Sequence, residues 1–192
     1  ELLRSNLADP EERIMTHVSN LRPVKRILDV LRIFHKVQQK IPSKLILVGD
    51  GPDKEKADLL AKELGINEKV LFLGKSDEIR KILYLTDLFL LPSETESFGL
   101  AALEAMASGV PVISSNSGGI PEVNKHGFSG FLSDVGDIKD MSKNALHILK
   151  DEQTLKQFKA NAKEESKRFD IHNIVPFYEA IYNKALANCI SV

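Results

Sequence analysis

The chain has 192 residues, a length that is sufficient for one sizeable domain and marginal for two. Of these residues 43% are hydrophobic and 28% charged, an ordinary composition for a globular protein. Its 26 basic residues balance 27 acidic ones, so the net charge of −1 gives no overall attraction to nucleic acid or to an anionic membrane. No apolar run could span a bilayer, and the single cysteine, Cys189, excludes an internal disulfide and fits a reducing, cytoplasmic compartment.

Short apolar runs alternate with amphipathic stretches along most of the chain. The runs predict six strands, at residues 13–18, 44–48, 70–73, 89–91, 110–114 and 128–132. Helical spacing predicts helices at residues 24–40, 54–64, 77–85, 98–107, 138–149, 154–169 and 174–186. Because the strands show no apolar–polar alternation, both faces of the sheet should be buried. The predicted fold is a doubly wound parallel α/β sheet of about six strands with helices on both faces.

The predicted domain occupies residues 13–170. Residues 1–12 are polar and contain Pro10, so we interpret them as a connector from an N-terminal domain that precedes this chain. Ligands of doubly wound sheets bind beyond the carboxyl ends of the strands. The polar and glycine-rich turns of this chain all fall at such ends, at residues 19–23, 49–52, 74–77, 93–97 and 117–119.

The central stretch is PSETESFGLAALEAMASG, residues 92–109, which follows the fourth predicted strand. Ser97 is the expected N-cap of a helix at 98–107 that is apolar on almost every side, and such a helix is expected to be buried. Glu104 stands in its middle. A buried carboxylate needs a donor from the protein or from a ligand hydroxyl. The alternative is that Glu104 lies on a narrow wet edge of the helix.

The beginning of the same helix predicts an anion site. Free backbone N–H groups at a helix N-terminus attract negative charge, here those of Phe98, Gly99 and Leu100. Glu96 comes just before this site, and it is either a ligand contact or an ordinary loop acid.

A basic turn follows the first predicted strand. Arg22, Lys25 and Arg26 enter the N-terminus of a helix, where positive charges oppose the helix dipole. A bound polyanion would relieve this conflict, and the alternative is a solvated basic turn.

Other polar features are less specific. The 49–52 turn, Gly-Asp-Gly-Pro, could let the backbone approach a flat ring or could be a plain tight turn. The 117–119 turn, Ser-Gly-Gly, could be another anion or sugar contact or again a plain turn. The chain has neither a GxGxxG nor a Walker sequence. Its histidines show no metal spacing, and His17 is the only one placed to line the cleft.

Glu96 and Glu104 are separated by seven residues, in the segment E-SFGLAAL-E. Together with PSETESFG, EAMASGVPVI and SGGIPEV, this pattern resembles the donor-binding half of the retaining glycosyltransferases of family four. The resemblance extends from about Ile14 to the last helix. It implies a Rossmann-like domain that is one half of the two-domain GT-B fold, followed by a C-terminal crossover helix and tail at 171–192.

The resemblance also implies residue roles. Glu104 would hold the ribose hydroxyls of a nucleotide sugar, Glu96 would contact the donor sugar, and Lys25 would bind the diphosphate. Many family members carry an arginine at the position of Asn20, so Arg22 is the expected substitute. The catalytic set implied is Lys25, Arg22 and Glu96, with no metal or other cofactor. Further donor contacts are implied for Asn20, Gly51, Gly74 and Lys75 and for the amides of Phe98, Gly99 and Leu100.

A closer similarity is carried by HVSNLRPVKR, LVGDGP and FLGKSDEI. These segments are similar to the subfamily that transfers N-acetylglucosamine from UDP-N-acetylglucosamine (UDP-GlcNAc) to L-malate in bacillithiol biosynthesis. The acceptor would then bind largely to the N-terminal domain. Three alternatives remain: a family-four enzyme with a polysaccharide or lipid acceptor, a module that binds a UDP-sugar without turnover, and an unrelated doubly wound domain.

The last predicted helix, 174–186, resembles the segment that crosses back to the N-terminal domain in the GT-B fold. Its Tyr178 and Tyr182 would face that domain, or would form a homodimer contact, or would pack on the sheet of this domain.

Overall fold

A computed structural model describes residues 3–190, with side chains for residues 3–187, and it confirms the predicted architecture; the Cys189 side chain lies outside the described ones. Six parallel strands form one sheet in the order β3-β2-β1-β4-β5-β6. The strands are β1 (Arg13–Val18), β2 (Ser43–Val48), β3 (Val70–Gly74), β4 (Leu88–Leu91), β5 (Val112–Ser115) and β6 (Gly130–Ser133).

Helices follow the strands in chain order. They are α1 (Ile27–Gln38), α2 (Lys54–Glu63), α3 (Ile79–Leu85), α4 (Leu100–Ala107), α5 (Ile120–Val123), α6 (Ile138–Leu149), α7 (Glu152–Ser166) and α8 (Ile171–Ile190). A 3-10 turn, Pro23–Lys25, precedes α1, and another, Lys167–Phe169, lies between α7 and α8. The predicted domain boundaries at residues 12 and 170 stay predictions.

Successive side chains of each strand point to opposite faces of the sheet, and both faces are buried as predicted. One face packs against α1, α2 and α6 through Met15, Leu45, Leu47, Leu88 and Leu90. The other packs against α3, α4 and α5 through Ile14, Ile46, Val48, Phe89 and Leu91. The sheet therefore has two cores, which explains its continuous apolar strands.

The strand order reverses between β1 and β4, which are neighbours in the sheet although two strands separate them in sequence. Their pairing is short and comprises Met15 with Leu88 and Thr16 with Phe89. Beyond these pairs the two strands are no longer paired, and the loops that follow them meet through the N–H of Glu94 and the carbonyl of Val24; we call the region between these loops the crevice. In doubly wound sheets this reversal point is where ligands bind.

Helix α1 begins later than predicted, at Ile27 rather than residue 24. Arg26 adopts a left-handed conformation, with φ 52° and ψ 46°, and interrupts the helical path. Upstream of it, the carbonyl of Val24 accepts a hydrogen bond from the backbone N–H of Glu94 at 2.8 Å. A contact with a distant loop thus replaces the first turn of the predicted helix.

The segment before β1 packs on the domain. Leu7 and Ala8 are buried in the same hydrophobic cluster as Ile14 of β1, and the Arg4 guanidinium donates to the carbonyl of Leu85 at 2.8 Å. Part of the segment that we interpret as a connector therefore packs against the domain and contributes Leu7 and Ala8 to its core.

Helix α8 carries its apolar side chains in solvent. Tyr178 and Tyr182 are 58% and 64% exposed, so the alternative that they pack on this domain's own sheet is wrong. Among the helices of residues 3–190, none is long and apolar enough to cross a membrane.

Candidate functional site

The loops that follow β1 and β4 are joined across the crevice by one ion pair. The Lys25 ammonium lies 2.5 Å from Oε1 of Glu96, and the Ser93 hydroxyl donates to the same oxygen at 3.0 Å. Both charged side chains are mostly buried, at 21% and 13% exposure, so the pair is shielded from solvent. The structure thus brings together two residues that lie 71 positions apart in the sequence.

The basic turn is partly neutralised by the protein itself. Arg26 pairs with Asp29 of the first turn of α1 at 2.6 Å, and Lys25 pairs with Glu96. Two of the three cations therefore already have a carboxylate partner, so the charge balance of the turn does not depend on a bound polyanion. Arg22 is exposed and has no carboxylate partner among the described residues.

The N-terminus of α4 differs from the prediction. The helix begins at Leu100, and Ser97 does not cap it. Gly99 occupies the N-cap position with φ +90°, a conformation that side chains disfavour. Among the described residues, the N–H groups of Phe98, Gly99 and Leu100 have no acceptor, so these donors are free to meet a ligand, and the anion site stays a prediction.

The turn at 117–119 holds this loop in place. A Cβ on Gly118 would lie 1.9 Å from the carbonyl oxygen of Glu96, so only glycine permits this approach. The N–H of Gly119 also donates to that oxygen at 2.9 Å. The turn is therefore not an isolated tight turn, because it fixes the backbone that presents Glu96.

Glu104 is exposed, and the prediction that it is buried is wrong. The buried face of α4 consists of Ala102, Ala105 and Met106, which leaves Leu100 and Glu104 on the other side of the helix. Glu104 borders a groove of about 500 Å³ between α3 and α4, which Arg80 and Tyr84 also line. Within the described residues its carboxylate has no partner and is free to meet a ligand.

A second pocket lies at the carboxyl ends of β1, β2 and β3. It has a volume of about 260 Å³, and the predicted donor contacts Asn20 and Lys75 line it together with Gly49. Gly51 lies outside this lining, and its missing side chain makes room for the Asn20 carbonyl, 1.9 Å from where a Cβ would stand. Gly74 accepts the N–H of Gly49 at 2.7 Å, so these two predicted contacts shape the loops.

His17 lies beneath the Lys25–Glu96 pair. Its side chain is fully buried, with Nδ1 2.8 Å from the carbonyl oxygen of Leu90 and Nε2 2.7 Å from the hydroxyl of Ser19. Burial is the main cause that lowers the pKa of His17 to about 4, and the positive charge of Lys25 lowers it further. The Leu90 bond and Glu96 act in the opposite direction. The imidazole is therefore neutral at ordinary pH. Its position near a strand end in the sequence did not predict this burial or this charge state.

We expect this histidine to make the domain sensitive to mild acid. In the unfolded chain His17 takes up a proton below pH ~6.5, whereas in the folded chain it stays neutral down to about pH 4, so acid favours unfolding. Stability should fall by about 3 kcal/mol as the pH decreases through this window. Urea unfolding of the wild type and of His17→Leu at several pH values measures the effect. An equally steep loss in both proteins would contradict it.

None of the described residues form a cluster of three or more His, Cys, Asp or Glu side chains that could hold a metal ion.

Comparison with known proteins identifies the family. The sequence profile described as glycosyl transferases group 1 matches residues 1–165. The chain belongs to this family. Among curated proteins it is 46% identical over 176 residues to the N-acetyl-alpha-D-glucosaminyl L-malate synthase of Bacillus anthracis, which covers 91% of this chain and 46% of that protein. It is 33% identical over 174 residues to the sulfoquinovosyl transferase SQD2 of Arabidopsis thaliana, covering 88% and 32%.

Solved glycosyltransferases share the fold. Anabaena HepE in complex with UDP and glucose superposes with a TM-score of 0.77 at 27% identity, covering 94% of this chain and 48% of that one. The sucrose-phosphate synthase of Thermosynechococcus elongatus gives a TM-score of 0.83 at 27% identity, covering 96% and 48%. The group 1 glycosyltransferase chain spans less than half the length of each of these relatives.

Proposed function

We propose that this chain is the donor-binding half of a retaining glycosyltransferase that transfers N-acetylglucosamine from UDP-GlcNAc to L-malate. The observation that carries the proposal is the ion pair between Lys25 after β1 and Glu96 after β4, with the free amides at the start of α4 following Glu96 in the same loop. A diphosphate sugar carries negative charge beside hydroxyl groups, and this crevice offers a cation and N–H donors beside a carboxylate. The 46% identity to the L-malate synthase supports the choice of donor and acceptor.

In the proposed complex the residues take separate parts of the donor. The base occupies the pocket at the ends of β1 to β3, which Asn20 and Lys75 line. The ribose hydroxyls meet Glu104 in the groove beside α4, where a carboxylate can accept two hydrogen bonds. The diphosphate lies between Lys25 and the amides of 98–100, and the sugar hydroxyls reach Glu96.

The chemistry follows from where charge develops. As the bond between the anomeric carbon and the diphosphate oxygen breaks, negative charge grows on the leaving UDP, and Lys25, Arg22 and the amides at 98–100 stabilise it. The acceptor hydroxyl forms the new bond on the same face of the sugar, and its proton passes to the leaving phosphate. This scheme requires no metal, because the protein supplies the positive charge.

The acceptor belongs to the part of the proposal that needs a second domain. The exposed apolar side chains of α8, Tyr178 and Tyr182 among them, support a contact with an N-terminal domain or with a second copy of the chain. We place the reaction in the cytoplasm. A second candidate function is binding of a UDP-sugar without turnover, which is favoured for the chain in isolation because one half of a two-domain cleft cannot close on an acceptor.

We expect calorimetry to detect binding of UDP and UDP-GlcNAc to this chain. Glu104→Ala should weaken binding by about tenfold or more, because the ribose hydroxyls lose a charged acceptor. Glu63→Ala is the matched control, since Glu63 is another exposed helical carboxylate and ends α2, which packs on the other face of the sheet from α4. Equal affinities of the wild type and Glu104→Ala would exclude the ribose role.

The acceptor is tested in the complete enzyme that contains this chain. Release of UDP from UDP-GlcNAc is measured with L-malate and, separately, with sugar and lipid acceptors. Release that depends on L-malate supports the proposal. If UDP is released only with a sugar or lipid acceptor, that acceptor replaces L-malate in the proposal. If the enzyme binds UDP-GlcNAc but releases no UDP with any acceptor, the function is binding of a UDP-sugar without turnover.

A further inference from the structure

His17 occupies the crevice at the point where the backbone pairing of β1 and β4 has ended. The last paired residues are Thr16 and Phe89, and one residue further on the His17 ring bonds the carbonyl of Leu90 at 2.8 Å. The side chain thus continues a connection that the two backbones no longer make. We propose that His17 is a positioning residue, which holds the loops after β1 and β4 so that Lys25 and Glu96 meet the donor together.

The hydrogen bonds around the ring have one direction. The Leu90 carbonyl can only accept, so Nδ1 of His17 carries the proton and Nε2 has a free lone pair. The Ser19 hydroxyl then donates to Nε2 at 2.7 Å, and its oxygen accepts the backbone N–H of Leu21 at 3.1 Å. A neutral imidazole therefore links the end of β4 to the backbone of the loop after β1.

The loop that His17 reaches has a strained backbone. Leu21 has φ 42°, which is unfavourable for a residue with a side chain, although its side chain is fully buried. Two hydrogen bonds hold this residue, one from its N–H to Ser19 and one from the N–H of Asp53 to its carbonyl at 3.1 Å. Arg22 and Lys25 follow directly, so a relaxed Leu21 would move both cations.

On the other side of the crevice, Leu90 leads through Ser93 to Glu96. The carbonyl that His17 holds is therefore near the start of the loop that presents the carboxylate, and the Lys25–Glu96 pair closes the same gap above the ring. His17 is fully buried and both ring nitrogens are occupied, so it touches no substrate and serves as neither acid nor base. Its effect on the donor passes through the two loops.

Three substitutions separate the two ends of the link. Asn can keep the donor to Leu90, Gln can keep the contact to Ser19, and Leu keeps neither while filling a similar volume. We expect His17→Leu to weaken UDP binding by the complete enzyme by at least about tenfold, and His17→Asn and His17→Gln to restore part of the affinity. UDP affinity is measured by calorimetry beside the melting temperature of each variant.

Thr16→Val is the matched control. It removes one buried hydrogen bond in the same strand, between the Thr16 and Thr86 hydroxyls at 2.7 Å, and should lower the melting temperature without weakening UDP binding. His17→Leu is also combined with Lys25→Ala. Because His17 acts through Lys25, the two effects on affinity should not add.

The outcomes distinguish this inference from the proposed function on which it rests. A wild-type enzyme that binds no UDP rejects the proposed function. If the wild type binds UDP, three results reject the positioning role. His17→Leu binds UDP as tightly as the wild type, Thr16→Val loses as much UDP affinity as His17→Leu, or the effects of His17→Leu and Lys25→Ala on affinity are fully additive. If His17→Leu does not fold, Ser19→Ala decides, since it cuts only the loop end of the link. A loss of about threefold or more supports the inference, and unchanged affinity overturns it.

Discussion

Replacing Lys25 by alanine in the complete enzyme is expected to lower turnover by roughly 10²–10³-fold, the loss typical of removing one group that stabilises developing negative charge. The structure places the Lys25 ammonium 2.5 Å from Glu96, which precedes the free amides at the start of α4 in the same loop. Arg26 is held by Asp29, and the exposed Arg22 lies outside the ion pair and has its own part in the proposed scheme, so neither occupies the position of Lys25.

The same substitution should affect stability less than turnover. Lys25→Ala leaves Glu96, whose side chain is 13% exposed, without its cation but with the Ser93 hydroxyl at 3.0 Å, so we expect a loss of about 1–2 kcal/mol and a shift of a few degrees in melting temperature. Lys62→Ala is the control, since Lys62 is also paired with a carboxylate, Asp58 at 2.5 Å, but on the exposed face of α2. Unchanged turnover in a stable Lys25→Ala enzyme would remove Lys25 from the mechanism.

The largest loss of stability is expected for Asp87→Ala. This carboxylate is 4% exposed at the start of β4 and joins three parts of the fold. It accepts from Lys159 of α7 at 2.7 Å, from Arg4 at 2.8 Å and from the backbone N–H of Ile14 at 3.0 Å. Without it, two partly buried cations and a buried amide lose their acceptor, and we expect a cost of about 3–5 kcal/mol.

The pKa of Asp87 gives the sign of a second effect. Burial alone would raise it, but Lys159, the Ile14 amide and Arg4 together hold the pKa of this carboxyl below its usual value. The contribution of Asp87 to stability is therefore complete above the pKa of the unfolded chain and disappears as the pH falls through the pKa of the folded chain.

Urea unfolding near neutral pH measures the cost of Asp87→Ala, with Asp58→Ala as the exposed control. A cost below about 1 kcal/mol for Asp87→Ala would show that the three contacts are dispensable.

The amino-acid sequence determined the fold class because the signals it contains are local. Apolar runs without alternation indicated strands covered on both faces, and β1 and α6 begin and end at the predicted residues. The motif from Glu96 to Glu104 indicated the family. The sequence also placed the polar turns of the chain correctly at the carboxyl ends of the strands. Two of the helices are followed by glycines in the left-handed conformation, Gly65 with φ 67° and Gly109 with φ 78°, a helix end that is typical of glycine.

Only the tertiary structure decided how the site is built, because its contacts join residues far apart in the chain. The pairing of Lys25 with Glu96 neutralised a turn that local reasoning left unbalanced. The bond from Glu94 to Val24 replaces the first turn of the predicted helix, and the close approach of Gly118 to Glu96 holds the loop before α4. None of these contacts leaves a periodic pattern in the sequence.

Burial is the other property that local pattern could not provide. Helix α4 is apolar in sequence, yet it presents Glu104 to a groove, since which face of a helix is covered depends on its neighbours. His17 is the opposite case, a titratable side chain that is fully buried. It lies one residue beyond the last backbone pair of β1 and β4. The sequence fixes which groups are available, and the packing of distant elements determines which are charged, which are paired and which remain free for a ligand.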